Sequence, residues 1–430
     1  MSRRLLVVTA FFPPAAFVGA QRPLKLVRDI RALGWDSCVL TVAASCGPAD
    51  EHSVRRIPPD LTVRRVPCRS LWNHSQWWRS ARPGMRRLLA KVNRGLAKLT
   101  GDFVPIDQYY PWALVATGTG LAMARQFRPD LIWATCPSLS AAYLAQRIAG
   151  RTGIPFVVDF RDVRGPAGAD SPRHVHRSLA YERRIVAAAS AVTYVAPDQI
   201  KVLSQKHPAI RDMTTQLVYN WFDPSEVAGR QPRLYDGSAI VHGGILYGGT
   251  RRIDGFIEAL AILRRRRRND ESLPRFYQFG GMAIDDQYLR ELVGQHRLEN
   301  AVQLCPAVPH DEFVSACLGA TVLLLVVGRD RGMQLHAGAI PGKLYNYFAA
   351  RRPILVVGPP GCEAGEMVRK LRRGMAVPDD RPDLIAAALE QLLDGRGADG
   401  PLDLGLESLK SFTPQHCAGQ MVEVFEGVLG

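Results

Sequence analysis

Lys343 is the side chain around which chemistry could be organised in this sequence. It stands in Gly338-Ala339-Ile340-Pro341-Gly342-Lys343-Leu344-Tyr345-Asn346-Tyr347-Phe348-Ala349-Ala350. Small residues come first, where backbone can approach a ligand closely. Pro341 suits a first helical turn, because its missing N–H would have had no partner there. Leu344, Tyr347 and Phe348 recur at helical spacing, and Pro353 ends the helix before the apolar run at 354–357. A loop thus feeds a helix N-terminus, whose N–H groups and positive dipole end suit a phosphate. Lys343, one turn inside, adds a full positive charge.

Two further stretches carry groups of the same kind. Gly243-Gly244-Ile245-Leu246-Tyr247-Gly248-Gly249-Thr250-Arg251-Arg252 precedes an amphipathic pattern of Ile253, Phe256, Ile257, Leu260 and Ile262. Four glycines and two arginines between a strand and a helix form a second anion-binding candidate. The strand at 154–158 delivers Asp159-Phe160-Arg161-Asp162 at its C-terminal end, where open α/β sheets place ligand contacts. An ion pair that ties a loop down would use the same residues. His174 and His176 fall in a polar, Pro- and Gly-rich stretch, read as a solvated loop outside any site.

These stretches need a scaffold, and the apolar pattern supplies it. A strand at 5–10, a loop at 11–20, a helix through Leu24, Leu26, Val27, Ile30 and Leu33, and a strand at 38–42 make a βαβ unit, which implies parallel pairing. The first loop lacks the spaced G-x-G-x-x-G of dinucleotide binders, so no nicotinamide cofactor is indicated. Gly19 in that loop either lets backbone approach a ligand or serves an ordinary tight turn. Strands at 131–135, 154–158 and 191–195, then at 239–242, 275–281, 302–304, 322–327 and 354–357, continue the alternation. The polar segment 231–238 reads as a linker. With 430 residues, 47% of them hydrophobic, the chain exceeds one core, and two domains are expected. They are residues 1–235 and 236–410, with a final helix at 411–430 crossing back to the first.

Arg3-Arg4 followed by an apolar run imitates a secretory leader, but Pro13-Pro14 interrupts it, and we read a first strand. The eight cysteines are scattered without a C-x-x-C pair, which suggests neither zinc nor a disulfide framework, and a reducing cytoplasm. The net charge of +15 permits anionic partners without choosing among them; no nucleic-acid motif is present. Between residues 64 and 100 ten arginines and lysines are interleaved with Trp72, Trp77 and Trp78, and no acidic residue falls between Leu61 and Gly101. Such a segment fits an anionic membrane interface; a solvated basic insertion has the same composition.

The pattern GxIPxKLYxYxAxxRPIL at 338–355 resembles the nucleotide-sugar motif of retaining GT-B glycosyltransferases of family 4, in the subgroup that builds bacterial surface polysaccharides. The resemblance implies an α/β fold of two doubly wound, Rossmann-like domains facing across a cleft. It implies transfer of a sugar from a nucleoside-diphosphate donor, with retention, to a lipid-linked or small-molecule acceptor at the inner leaflet, with no cofactor and no metal. Two family glutamates correspond to Gly338 and Asn346 here, and an amide can still hydrogen-bond a ribose hydroxyl. Arg351 stands where the family has a helix-ending glycine, and Asn220-Trp221-Phe222-Asp223 replaces N-G-F-D. By the same resemblance, Arg161 and Asp162 occupy the place of a His-Asp pair near the transferred sugar. Gly19 lies beside the diphosphate, Arg252 or Arg251 grips it, and the backbone around Pro309 meets the base. Gly338, Ala339, Ile340, Gly342, Lys343 and Asn346 complete the donor site. Arg161, Asp162, Arg252 and Lys343 are the implied catalytic residues. Two rivals share the fold: a nucleotide-sugar 2-epimerase and a non-catalytic sugar-nucleotide-binding subunit.

Overall fold

Leu5, Leu6, Val7 and Val8 are wholly buried. That is the mark of a strand covered on both faces, and it places β1 (Arg3–Thr9) at the centre of a parallel sheet. The computed structural model describes residues 2–43, 50–68, 106–163, 172–244, 246, 253–267, 273–280, 286–328, 340–398 and 400–430. These divide into two compact units, Met1–Tyr219 with Cys417–Gly430, and Asn220–His416.

The first unit contains β1, β2 (Trp35–Val42), β3 (Thr62–Val66), β4 (Leu131–Cys136), β5 (Phe156–Phe160), β6 (Ala191–Tyr194) and β7 (Thr214–Leu217). Its sheet runs in the order β3-β2-β1-β4-β5-β6-β7, and every pairing is parallel. The order reverses between β1 and β4, which makes their C-terminal ends the switch point of a doubly wound sheet. One face carries Leu6, Val8, Leu40, Ile132, Ala134 and Val158, packed with Trp112, Ala116, Leu144, Ile148 and Ile185. Helices Tyr110–Phe127 and Leu139–Thr152 come close because Gly120 has no side chain: a Cβ there would lie 2.4 Å from Ile148 Cδ1. The closing helix, Pro414–Leu429, packs the Phe425 ring 5.3 Å from that of Trp35. Glu426 accepts the Trp35 indole N–H at 3.1 Å.

The second unit repeats the plan with β8 (Ala239–Gly243), β9 (Arg275–Phe279), β10 (Val302–Cys305), β11 (Val322–Val326), β12 (Ile354–Gly358) and β13 (Gly374–Pro378). Its order, β10-β9-β8-β11-β12-β13, is again all parallel, with the switch point between β8 and β11. The helix Asp254–Arg266 buries Phe256, Ile257 and Leu260 against Ile240, Phe276, Ile385 and Leu389. Gly255 begins that contact, and a Cβ on it would meet the Asp379 carbonyl oxygen at 2.2 Å. Backbone cannot yield as a flexible side chain can. Gly255→Ala is therefore expected to destabilise this unit by about 1–3 kcal/mol, read as a lowered thermal midpoint; an unchanged midpoint would show that the contact gives way.

Two sequence expectations change. His174 and His176 lie on the helix Pro172–Ala188, not in a loop, because Leu179, Ile185 and Val186 extend its apolar spacing back toward Pro172. Arg64 and Arg65 belong to the edge strand β3 and not to an insertion; residues 69–105, with the tryptophans, lie outside the described residues.

Candidate functional site

Lys343 opens the helix Lys343–Ala350 as its first residue, not one turn inside. Pro341 stays outside the helix, and its carbonyl accepts the Leu344 N–H at 2.9 Å, closing the turn that leads in. Side chains four apart share a helix face, and here that face meets the switch point of the second sheet. Lys343 Nζ donates to the Gly243 carbonyl at 2.5 Å and lies 3.1 Å from His242 Nε2. Tyr347 accepts the Gly243 N–H at 3.3 Å and donates to the Leu324 carbonyl at 3.2 Å. Burial pushes its phenol well above the usual range, so the hydroxyl stays protonated. One ammonium thus stands at the C-terminal edge of β8, beside β11.

The helix His310–Gly319 reaches the same edge. The Pro309 carbonyl accepts the Phe313 N–H at 3.0 Å, and the Phe313 ring lies against Gly243, where a Cβ would be 2.0 Å from ring carbon Cζ. Only glycine lets that ring approach. Gly244 follows with φ +101° and Gly280 with φ +104°, left-handed backbone that glycine adopts without strain. Gln278, opposite His242 in the register of β9, donates to the Gly244 carbonyl at 2.8 Å. The structure therefore brings Lys343, next in the chain to Gly342, and Phe313, four residues after Pro309, to one sheet edge. Asn346, half-buried, lies one turn along from Lys343. Arg251, Arg252, Gly338 and Ala339 lie outside the described residues.

In the first unit Arg161 spans the switch point. Its guanidinium donates to the carbonyls of Cys136 at 3.1 Å, Gly19 at 2.8 Å and Pro137 at 3.0 Å. Burial pulls its pKa below the ordinary value, while Asp159 and Asp162 oppose the shift. A Cβ at Gly19 would lie 2.7 Å from Arg161 Nη1, so this glycine makes room for the guanidinium. Arg161 is committed to loop backbone, and Asp162, exposed, follows it.

Arg22 did not stand out in the sequence, and it is the ion-pair partner of Asp159, which the sequence placed at the end of its strand. Arg22 grips Asp159 at both oxygens, Nε to Oδ2 at 3.0 Å and Nη2 to Oδ1 at 2.8 Å. It also donates to the carbonyls of Val218 and Tyr219. Thr135 and Thr193, opposite Asp159 in register on β4 and β6, donate to its two oxygens at 2.8 and 2.7 Å. His242 and Gln278 carry the same signal as Asp159, a polar residue near the C-terminal end of an apolar strand, and were overlooked. Among the described residues there is no cluster of three metal-ligating side chains, and no helix is long and apolar enough to cross a membrane.

Comparison with known proteins agrees with this architecture. The family model of the glycosyl transferase 4-like domain matches residues 19–214. No curated protein matches the chain. Among solved structures, sucrose-phosphate synthase from Thermosynechococcus elongatus superposes with a TM-score of 0.64 at 15% identity, covering 100% of this chain and 99% of that one. The Anabaena protein HepE, in complex with UDP-glucose, gives 0.62 at 13% identity over 99% and 100% of the two chains. The lipopolysaccharide outer core galactosyltransferase WaaB gives 0.56 at 10% identity over 99% of each. The chain is thus similar to the GT-B glycosyltransferases, in its two-unit α/β fold throughout and by family model in residues 19–214.

Proposed function

We propose that this protein is a retaining glycosyltransferase, which moves a sugar from a nucleoside-diphosphate donor to a lipid-linked glycan of surface-polysaccharide synthesis. The observation that carries the reading is the Lys343 ammonium at the β8 edge, on the Gly243 carbonyl at the start of the helix Lys343–Ala350. Open parallel sheets bind phosphorylated ligands at that place, and a fixed cation there stabilises charge growing on a leaving diphosphate. Arg252 or Arg251 and the backbone at 339–342 would share this work, leaving no need for a metal. Asn346 would take the ribose. Arg161 would hold the Gly19 loop in shape, and Asp162 would face the transferred sugar.

The basic, tryptophan-rich stretch from Arg69 to Lys98 supports an acceptor presented at an anionic leaflet, since each Lys or Arg near such a surface contributes about 1 kcal/mol. Incubation with radiolabelled nucleotide sugars and a bacterial lipid extract is expected to move label into the lipid fraction. Label passing only to soluble acceptors would remove the lipid part of the reading. Interconversion of the donor without acceptor would identify an epimerase. Donor binding without any turnover would identify a binding subunit, a reading that Gly338 in place of a carboxylate favours.

A further inference from the structure

We propose that His242 is a positioning residue for Lys343, locked in one tautomer by Gln278, and that it orients the ammonium toward a diphosphate without cancelling its charge. The inference rests on the donor-site reading above. His242 is wholly buried and lies opposite Gln278 in the parallel register of β8 and β9. Gln278 Nε2 faces two carbonyls, of Gly244 at 2.8 Å and Phe279 at 3.2 Å, and carbonyls only accept. That fixes the amide: its nitrogen is on the carbonyl side, and Oε1 faces His242 Nδ1 at 2.6 Å. An amide oxygen cannot donate, so Nδ1 carries the proton. In the neutral ring Nε2 is then an acceptor, and Lys343 Nζ stands 3.1 Å from it.

A lysine side chain is long and flexible, and ordering it on ligand binding costs affinity. The Gly243 carbonyl and the His242 ring hold the ammonium before any ligand arrives. A carboxylate in place of the ring would hold it too, but would offset the charge that attracts phosphate. A neutral imidazole nitrogen does not. Among the described residues, Tyr347 and Cys317 nearby have pKa values raised by burial and stay uncharged. The same Gln278 amide fixes the Gly244 carbonyl, where the glycine-rich loop leaves β8. One amide therefore sets the ring and the root of that loop together.

Calorimetric titration with UDP, GDP and ADP tests this on the full chain, with thermal melts to check folding. For a probe that binds the wild type, His242→Leu is expected to weaken binding about tenfold. His242→Gln, whose amide oxygen can reach the place of Nε2, should recover most of that loss. In a Lys343→Ala background His242→Leu should cost nothing further, because its effect runs through the lysine. Undiminished affinity in His242→Leu, with binding lost in Lys343→Ala, overturns the positioning role and leaves the donor site standing. An equal loss from His242→Leu in both backgrounds also overturns it, since the histidine then acts on the fold. Wild-type affinity in Lys343→Ala, or no probe bound by the wild type, overturns the donor-site reading itself. Should His242→Leu fail to fold, His242→Phe gives the same test: it keeps a ring of similar shape without an acceptor nitrogen, and its several-fold loss should vanish with Lys343→Ala.

Discussion

Asp159→Ala is expected to lower the thermal midpoint of the first unit by roughly 6–20 °C. The pair with Arg22 is enclosed, with side-chain exposure of 0% for Asp159 and 2% for Arg22. Removing one partner of such a pair leaves an uncompensated buried charge and costs about 3–5 kcal/mol. In a domain of this size each kcal/mol is worth about 2–4 °C. The damage should not stop at Asp159, because Arg22 also holds the carbonyls of Val218 and Tyr219, where the chain leaves the unit. The paired Arg22→Met/Asp159→Leu variant should lose less than Asp159→Ala, since no charge is left stranded. Differential scanning calorimetry, following the transition of the first unit, checks both. A midpoint for Asp159→Ala within about 2 °C of wild type, a loss of about 1 kcal/mol or less, would show that water or a shifted side chain replaces the carboxylate.

Lys343→Ala is expected to weaken binding of a nucleoside diphosphate by about 10- to 150-fold, with little change in the melting of either unit. Hydrogen bonds to charged groups contribute about 1.5–3 kcal/mol, and every 1.4 kcal/mol is about a factor of ten. The side chain is half-buried, and the Tyr347 bonds to Gly243 and Leu324 remain to hold the helix on the sheet. Lys343→Arg should recover only part of the affinity. A planar guanidinium is not a compact point charge, and it would have to meet the Gly243 carbonyl and His242 Nε2 where an ammonium now does. Equal affinity of Lys343→Ala and wild type, by calorimetry, would remove Lys343 from the site.

Sequence alone was enough for the two α/β units, because the information is local. Near-continuous apolar runs such as Leu5–Val8 and 322–327 announce strands covered on both faces, and helical spacing between them leaves parallel pairing as the workable connection. The turn into the helix Lys343–Ala350 was legible for the same reason: small residues and a proline mark a loop, and Leu344, Tyr347 and Phe348 follow at helical spacing. Arg351 was visible as a departure from a helix-ending glycine, and the structure shows why a glycine suits that place, with φ +54° at the end of the helix Lys343–Ala350. Only the tertiary structure decided the partners. Arg22 and Asp159 are 137 positions apart, and His242, Gln278 and Lys343 come from two strands and a helix. Their meeting depends on strand order and register, which long-range packing sets and no short window of sequence records. The same packing assigned Arg161 to loop carbonyls, because its burial beside Cys136, Pro137 and Gly19 demands acceptors that backbone supplies.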